Sequence, residues 1–238
     1  MTLQILISTM NSKFMQRAIT PPAPYLVINQ ISPNKGLSKS RNQAIEQNSS
    51  DIALISDDDL EYKEDIEKII LEAFTNNSNA DIITFQVQTP DGLAYKQYKP
   101  NSFWHTQKSI MSVSSVEIAF KKASIEKGSL RFDEKFGLGS DFPTGEEIIF
   151  LSDALKMGLK ILYIPIPIVV HPQESSGKNY DNPKLIEAKG AMFYRLFSFL
   201  GYGASWLFTL KKYKSSPYSK MQFFALMHKG IRNYRSIK

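Results

Sequence analysis

The chain has 238 residues, 42% of them apolar, enough for one sizeable core with an appendage. It contains no cysteine, which excludes disulfides, thiol nucleophiles and Cys-ligated metals and fits a reducing compartment. The net charge of +6 hides an asymmetry that matters more than the total, a mildly acidic body with a strongly basic end, and that split suggests a polyanionic partner for the basic end.

Met1 runs almost at once into Leu3-Gln4-Ile5-Leu6-Ile7. With no basic segment ahead of it, this is expected to be a strand and not a secretory signal. Tyr25 to Ile28 reads as a second short strand, because Pro21-Pro22-Ala23-Pro24 excludes a helix just before it. Ser38 is placed to cap a helix over Lys39 to Gln47. Ile52-Ala53-Leu54-Ile55 is a continuous apolar run of the kind buried in a parallel sheet, and it leads into Ser56-Asp57-Asp58-Asp59.

Ile66, Ile69, Ile70, Ala73 and Phe74 share one face of a helix. Asp81 to Val87 reads as a strand, Thr89-Pro90-Asp91-Gly92 as a turn and Ser114 to Phe120 as another strand. A helix from Glu146 to Met157 is expected to stop at Gly158. Ile161 to Val170 is a final strand that Pro165 and Pro167 demote to an edge or an irregular crossing. Alternating strands and helices imply an α/β domain with a largely parallel sheet, whose ligand sits beyond the carboxyl ends of the strands.

Three consecutive carboxylates after a buried strand repel one another unless solvent or a cation intervenes. A solvated turn is one remedy. The other is Mg²⁺ or Mn²⁺, which takes one or two carboxylates together with substrate phosphate oxygens.

Four segments, LQILISTMN (3–11), GLSKSRN (36–42), IALISDDDL (52–60) and RFDEKFGLGSDFPTGEEIIFLSDALKMGLKILYIPIPIVVH (131–171), together resemble bacterial family 2 glycosyltransferases. The resemblance implies an inverting, metal-dependent enzyme with a GT-A (Rossmann-like), mostly parallel sheet flanked by helices over residues 1–180. A helical, basic, aromatic-rich appendage then covers 181–238. Asp57 and Asp59 are implied as the D-x-D pair holding Mn²⁺ or Mg²⁺ against the nucleotide diphosphate, with His171 as a further ligand and Asp58 on the nucleotide sugar.

Within the Glu146-Glu147 pair the resemblance makes the second member the general base, where relatives usually carry Asp. The extra methylene leaves Glu146 as the alternative, and the helix dipole alone would also favour two Glu there. Thr9 and Asn11 are implied on base and ribose, and Arg41 near the diphosphate or shaping its loop. Asn29-Gln30 stand where many relatives carry an acidic reader of the nucleobase. The default donor is a UDP-sugar, and the acceptor a glycan, lipid-linked, in bacterial surface polysaccharide synthesis.

A sugar-phosphate nucleotidyltransferase would need a glycine-rich phosphate loop after the first strand, and Ser8-Thr9-Met10-Asn11 has no glycine. A non-catalytic carbohydrate-binding relative would not need both acidic sites.

Ten basic residues, from Lys189 to Lys238, follow Glu187 with no acidic residue among them. Removing them from 29 leaves 19 basic against 23 acidic residues, a net charge of −4 over residues 1–187. Residues 190–210 carry only Arg195, yet Gly201, Gly203 and the serines argue against a membrane span. Two readings follow for the tail. It is either a set of amphipathic helices on an anionic leaflet, peripheral on the inner face of the cell membrane, or a cap that closes the catalytic core. No nucleic-acid module motif is present, so nucleic acid is not an expected partner. The chain is expected in the cytoplasm or on that membrane face.

Overall fold

The computed structural model describes residues 1–9, 23–29, 36–171 and 180–237. The first half alternates β1 (Leu3–Thr9), β2 (Tyr25–Asn29), α1 (Leu37–Gln47), β3 (Ile52–Asp57), β4 (Glu61–Tyr62), α2 (Ile66–Asn76) and β5 (Ile82–Gln88). There follow β6 (Phe103–Trp104), β7 (Ile118–Lys121), α3 (Lys122–Lys127), α4 (Glu146–Lys156) and β8 (Ile161–Val170). Three helices end the chain: α5 (Pro183–Phe197), α6 (Gly201–Lys212) and α7 (Lys220–Ser236).

Among the described residues the strands form one sheet in the order β2-β1-β3-β7-β5-β8-β4, with β6 also paired to β8. β1, β2, β3, β5 and β8 all run the same way; β7 opposes them in the middle, and the two-residue β4 and β6 oppose them at the rim. This is a mixed sheet flanked by helices. Apolar runs such as Ile52–Ile55 have both faces covered, because successive side chains point to opposite sides. Ile5, Ile7 and Leu54 join α2 through Ile66, Ile70 and Phe74 on one face. Leu6, Ala53 and Ile55 join Ala44 of α1 and Phe150 and Leu151 of α4 on the other.

Two local expectations change, and a third is narrowed to one of its alternatives. Ser38 lies inside α1, not at its cap: the cap is Gly36, and Ser38 Oγ donates to the Phe136 carbonyl at 2.6 Å. The strand expected from Ser114 begins only at Ile118, because Ser115–Glu117 is a 3₁₀ turn. β8 is irregular as its prolines imply, but it is no bare edge. It pairs β5 on one side and, on the other, β6 at Leu162–Tyr163 and β4 at Val169–Val170. Pro165 and Pro167 fall between those two short partners, where a missing N–H costs no ladder bond, and the β5 register shifts there.

α5 and α7 close a third core over the same body. Ile186, Met192 and Phe193 of α5 and Phe223, Met227 and Tyr234 of α7 pack with Phe136, Phe142, Ile148 and Ile149. The two helices touch backbone to backbone. A Cβ at Gly190 would lie 2.0 Å from the Met227 carbonyl oxygen, and one at Gly230 1.8 Å from that of Glu187.

That contact sets up a paired test. Gly230→Ala should destabilise the protein by at least ~2 kcal/mol through overpacking, whereas Gly203→Ala, with open space around it, should gain roughly 0.5–1 kcal/mol from helix propensity. Urea denaturation of the two variants reads the difference directly.

Candidate active site

The carboxyl ends of β1, β2, β3, β5 and β8 share one edge of the sheet, and the candidate residues gather there. Thr9 ends β1, Asn29 ends β2, Asp57 ends β3, and His171 follows β8. Asn11 and Gln30 lie outside the described residues, and so does the side chain of Asn29.

The acidic turn is held from three directions. Thr9 Oγ1 donates to Asp58 Oδ2. Asp57 Oδ1 accepts from Arg41 Nη2 at 2.9 Å. The turn is short because β4 follows at once, and β4 pairs Glu61 with Val170 and Tyr62 with Val169. That pairing folds the turn against the end of β8 and brings Asp59 Oδ2 within 3.5 Å of His171 Nε2. The His171 ring holds the Asp59 carboxyl below its usual range, against the burial that would raise it. Burial pushes the Asp57 carboxyl up even beside Arg41. The Tyr95 ring stands edge-on to His171, centroids 5.6 Å apart.

Arg41 is the joint between the two acidic sites. Its side chain is 1% exposed; Nη1 donates to Glu146 Oε1 at 2.8 Å while Nη2 reaches Asp57 and Ser115 Oγ. So Arg41 faces the protein interior and shapes the carboxylates around it. The rest of its motif makes the same kind of contact. Ser40 Oγ donates to Ser8 Oγ, and the Asn42 amide exchanges hydrogen bonds with the backbone of Phe132. α1 thereby ties the first strand to the segment that leads into α4.

Glu146 and Glu147 open α4 behind Gly145, whose φ of +95° and closeness to Met192 leave no room for a side chain. Glu146 is buried against Arg41. Glu147 is partly exposed and makes no ion pair among the described residues. Burial first, and the Glu146 carboxylate second, push Glu147 up to about 8, while Lys189 and Arg41 pull the other way.

Several contributors carried no signal in the sequence. Lys189, counted with the tail, lies close enough to act on Glu147. Arg195, also counted there, pairs with Asp133 at 2.9 Å and Asp153 at 2.7 Å, locking α5 to the catalytic body. Glu117 is buried and accepts from Lys96 at 2.5 Å and from the Tyr98 hydroxyl at 2.8 Å. A cavity of about 880 Å³ opens beside this cluster, lined by Gln86, Ala94, Lys96, Gln97, Tyr98 and Lys99.

No group of three or more His, Asp or Glu side chains is assembled for a metal among the described residues. Asp59 and His171 supply two hard donors at one spot, with Asp59 57% exposed. That suits a divalent cation whose remaining ligands are diphosphate oxygens and water, the usual arrangement for Mg²⁺ or Mn²⁺.

A mixed α/β sheet with an acidic turn at its carboxyl edge and a second acidic site opening a facing helix is the GT-A architecture. Residues 13–130 match the model of Glycosyl transferase family 2, and the chain belongs to that family. Three solved structures of TarS from S. aureus share the fold. TarS 1-349 aligns at a TM-score of 0.59 and 14% identity over 100% of this chain and 92% of that one. The same fragment in complex with UDP-GlcNAc gives 0.59 and 13% over 100% and 90%. In complex with UDP it gives 0.58 and 15% over 95% and 75%. At such identities the likeness is one of fold. No curated protein sequence matches the chain.

The buried joint yields a stability test. Arg41→Leu strands Glu146 and half-buried Asp57 without a cation, so unfolding free energy should fall by about 3 kcal/mol, as when a buried pair is broken. Arg41→Lys should recover only part of this, because one ammonium cannot replace a two-pronged fork. Chemical denaturation of both variants at neutral pH measures the loss.

Proposed function

We propose that the protein is an inverting, metal-dependent glycosyltransferase that moves one sugar from a UDP-sugar to a glycan acceptor. The observation that carries this reading is the division of labour around Arg41. It occupies Glu146 and one oxygen of Asp57, and leaves Glu147 and Asp59 outside its hydrogen bonds, free for separate tasks.

In a single displacement the acceptor hydroxyl attacks C1 of the donor sugar from the face opposite the leaving diphosphate, so configuration inverts. Glu147 accepts the hydroxyl proton as the new C–O bond forms. Its raised affinity for a proton suits it to that work near neutral pH. Asp59 and His171 would hold Mn²⁺ or Mg²⁺, with Asp57 beside them. When bound, the metal neutralises charge building on the departing nucleoside diphosphate. Thr9 fixes Asp58 and so the shape of the nucleotide-facing turn, and Asn11, Asn29 and Gln30 are the candidates for base and ribose contacts. The cavity lined by Gln86, Lys96, Gln97, Tyr98 and Lys99 is the place we assign to the acceptor, because its amide, ammonium and hydroxyl groups suit the hydroxyls of a glycan. UDP-GlcNAc is the first donor to try, since fold relatives were solved with UDP and with UDP-GlcNAc. The acceptor we infer is lipid-linked, in bacterial surface polysaccharide synthesis, with the enzyme in the cytoplasm and peripheral on the inner membrane face.

Donor hydrolysis or transfer with UDP-sugars and Mn²⁺ tests the assignment. Glu147→Gln should lower the rate by about 10²–10⁴-fold, the usual size of general base catalysis, with donor affinity little changed. Asp59→Ala should instead abolish the chelator-sensitive part of UDP binding seen by calorimetry. An active Glu147→Gln enzyme would transfer the base role to Glu146.

The pH profile is an independent check. A carboxyl raised to about 8 is deprotonated in a growing fraction of molecules as pH rises through neutrality, so kcat/KM should climb with pH and level off above about 8. Because Glu146 and Glu147 interact, that midpoint belongs to the pair. Loss of this rising limb in Glu147→Gln supports the base; its persistence would remove Glu147 from the step.

A further inference from the structure

The three C-terminal helices present very different faces. α5 and α7 turn their apolar sides inward. α6 does the opposite: the residues it buries are Gly201, Ser205 and Thr209. Leu200, Gly203, Leu207 and Leu210 follow a spacing of three, four and three along its other side, which places them on one outward stripe. The exposures are large: Phe199 79%, Leu200 75%, Leu207 68%, with Met221 at the start of α7 64%. A helix that hides small polar residues and shows large apolar ones is inverted for a surface facing water.

Cations border this stripe. Lys211 and Lys212 end α6, Lys214 follows, and Lys220 opens α7 with its ammonium 5.9 Å from the Trp206 ring. Lys211, Lys214 and Lys220 are exposed and have no carboxylate partner among the described residues, whereas Arg195 and Lys229 are spent on internal ion pairs.

From this combination we infer that the outer face of α6, with the Phe199–Leu200 turn and Met221, is the surface on which the protein rests on an anionic lipid bilayer. The helix would lie in the plane of the headgroups, with its leucines in the acyl boundary and its lysines among the phosphates. Twelve residues reach only about 18 Å, and no described helix is long and apolar enough to cross a membrane. A second copy is the weaker occupant. Laid on the same face it would bring lysine against lysine, and no acidic residue follows Glu187 to relieve them. The inference deepens the peripheral-membrane part of the proposed function and rests on that part, not on the sugar-transfer chemistry.

Co-sedimentation of the full chain with phosphatidylglycerol-rich vesicles, pure phosphatidylcholine vesicles and no lipid tests it. Binding is expected to the anionic vesicles, weakly to the neutral ones, and less at high salt. The double variant Phe199→Ser/Leu207→Ser and the double variant Lys211→Gln/Lys214→Gln should each lower the vesicle partition coefficient roughly tenfold or more. Both alter exposed positions, and an unchanged melting temperature verifies that the fold is intact. Wild-type protein that ignores both vesicles, or variants that bind like wild type, would overturn the inference. So would a dimer seen by light scattering that Phe199→Ser/Leu207→Ser dissociates while vesicles stay unbound. UDP-GlcNAc binding by the same variants is read in parallel. Its survival with lipid binding lost leaves the transferase reading standing, and its absence from a lipid-binding wild type counts against that reading alone.

Discussion

One buried guanidinium sets the geometry on which the site depends. Arg41 reaches Asp57 at the end of β3 and Glu146 at the head of α4, two carboxylates 89 positions apart in the chain. A guanidinium is planar and its donors are fixed in a fork, so the two carboxylates are held at a set angle as well as a set distance. Removal from water makes a lone charge costly, which is why both partners belong to the fold whatever they do in chemistry. The arrangement also sorts four neighbouring acids. Asp57 and Glu146 bond to Arg41, while Asp59 lies against His171 and Glu147 makes no ion pair among the described residues.

Much of this frame can be read from the chain, and the rest could not have been, for identifiable reasons. Runs such as Ile52–Ile55 and the spacing of Ile66, Ile70 and Phe74 mark elements because burial on one or two faces demands those patterns. Gly158 likewise marks the end of α4, with φ at +81°. The role of Arg41 is different in kind. Its motif, SKSRN, is polar by composition, yet Ser38, Ser40, Arg41 and Asn42 are all buried. A polar buried face gives no hydrophobic period, and only its partners in other segments reveal it. The cluster of Lys96, Tyr98 and Glu117 is silent for the same reason. Resemblance to a family picked out the acidic pairs, but which members Arg41 engages emerges only in three dimensions.

The basic tail shows how far charge counting can reach. α5 and α7 cap the core, as one of the two sequence readings has it, while α6 turns an apolar stripe to the outside. Cations that look alike in sequence divide by what they meet. Arg195 is an internal brace between helix and body, Lys189 bears on the electrostatics of Glu147, and Lys211 and Lys214 look outward. Position along the chain therefore says less about a charge's task than the helix face that carries it.

The prolines of β8 have a further consequence for how the molecule behaves in a crowded solution. Among the described residues, no strand pairs the outer side of β8 between its two-residue partners β6 and β4, a stretch that contains Pro165 and Pro167. An open rim normally offers a row of N–H and C=O groups on which a strand from another molecule can grow. Two of the donors are missing here, and the register shift bends what remains. Along this stretch of β8 the rim is a poor template for intermolecular strand growth.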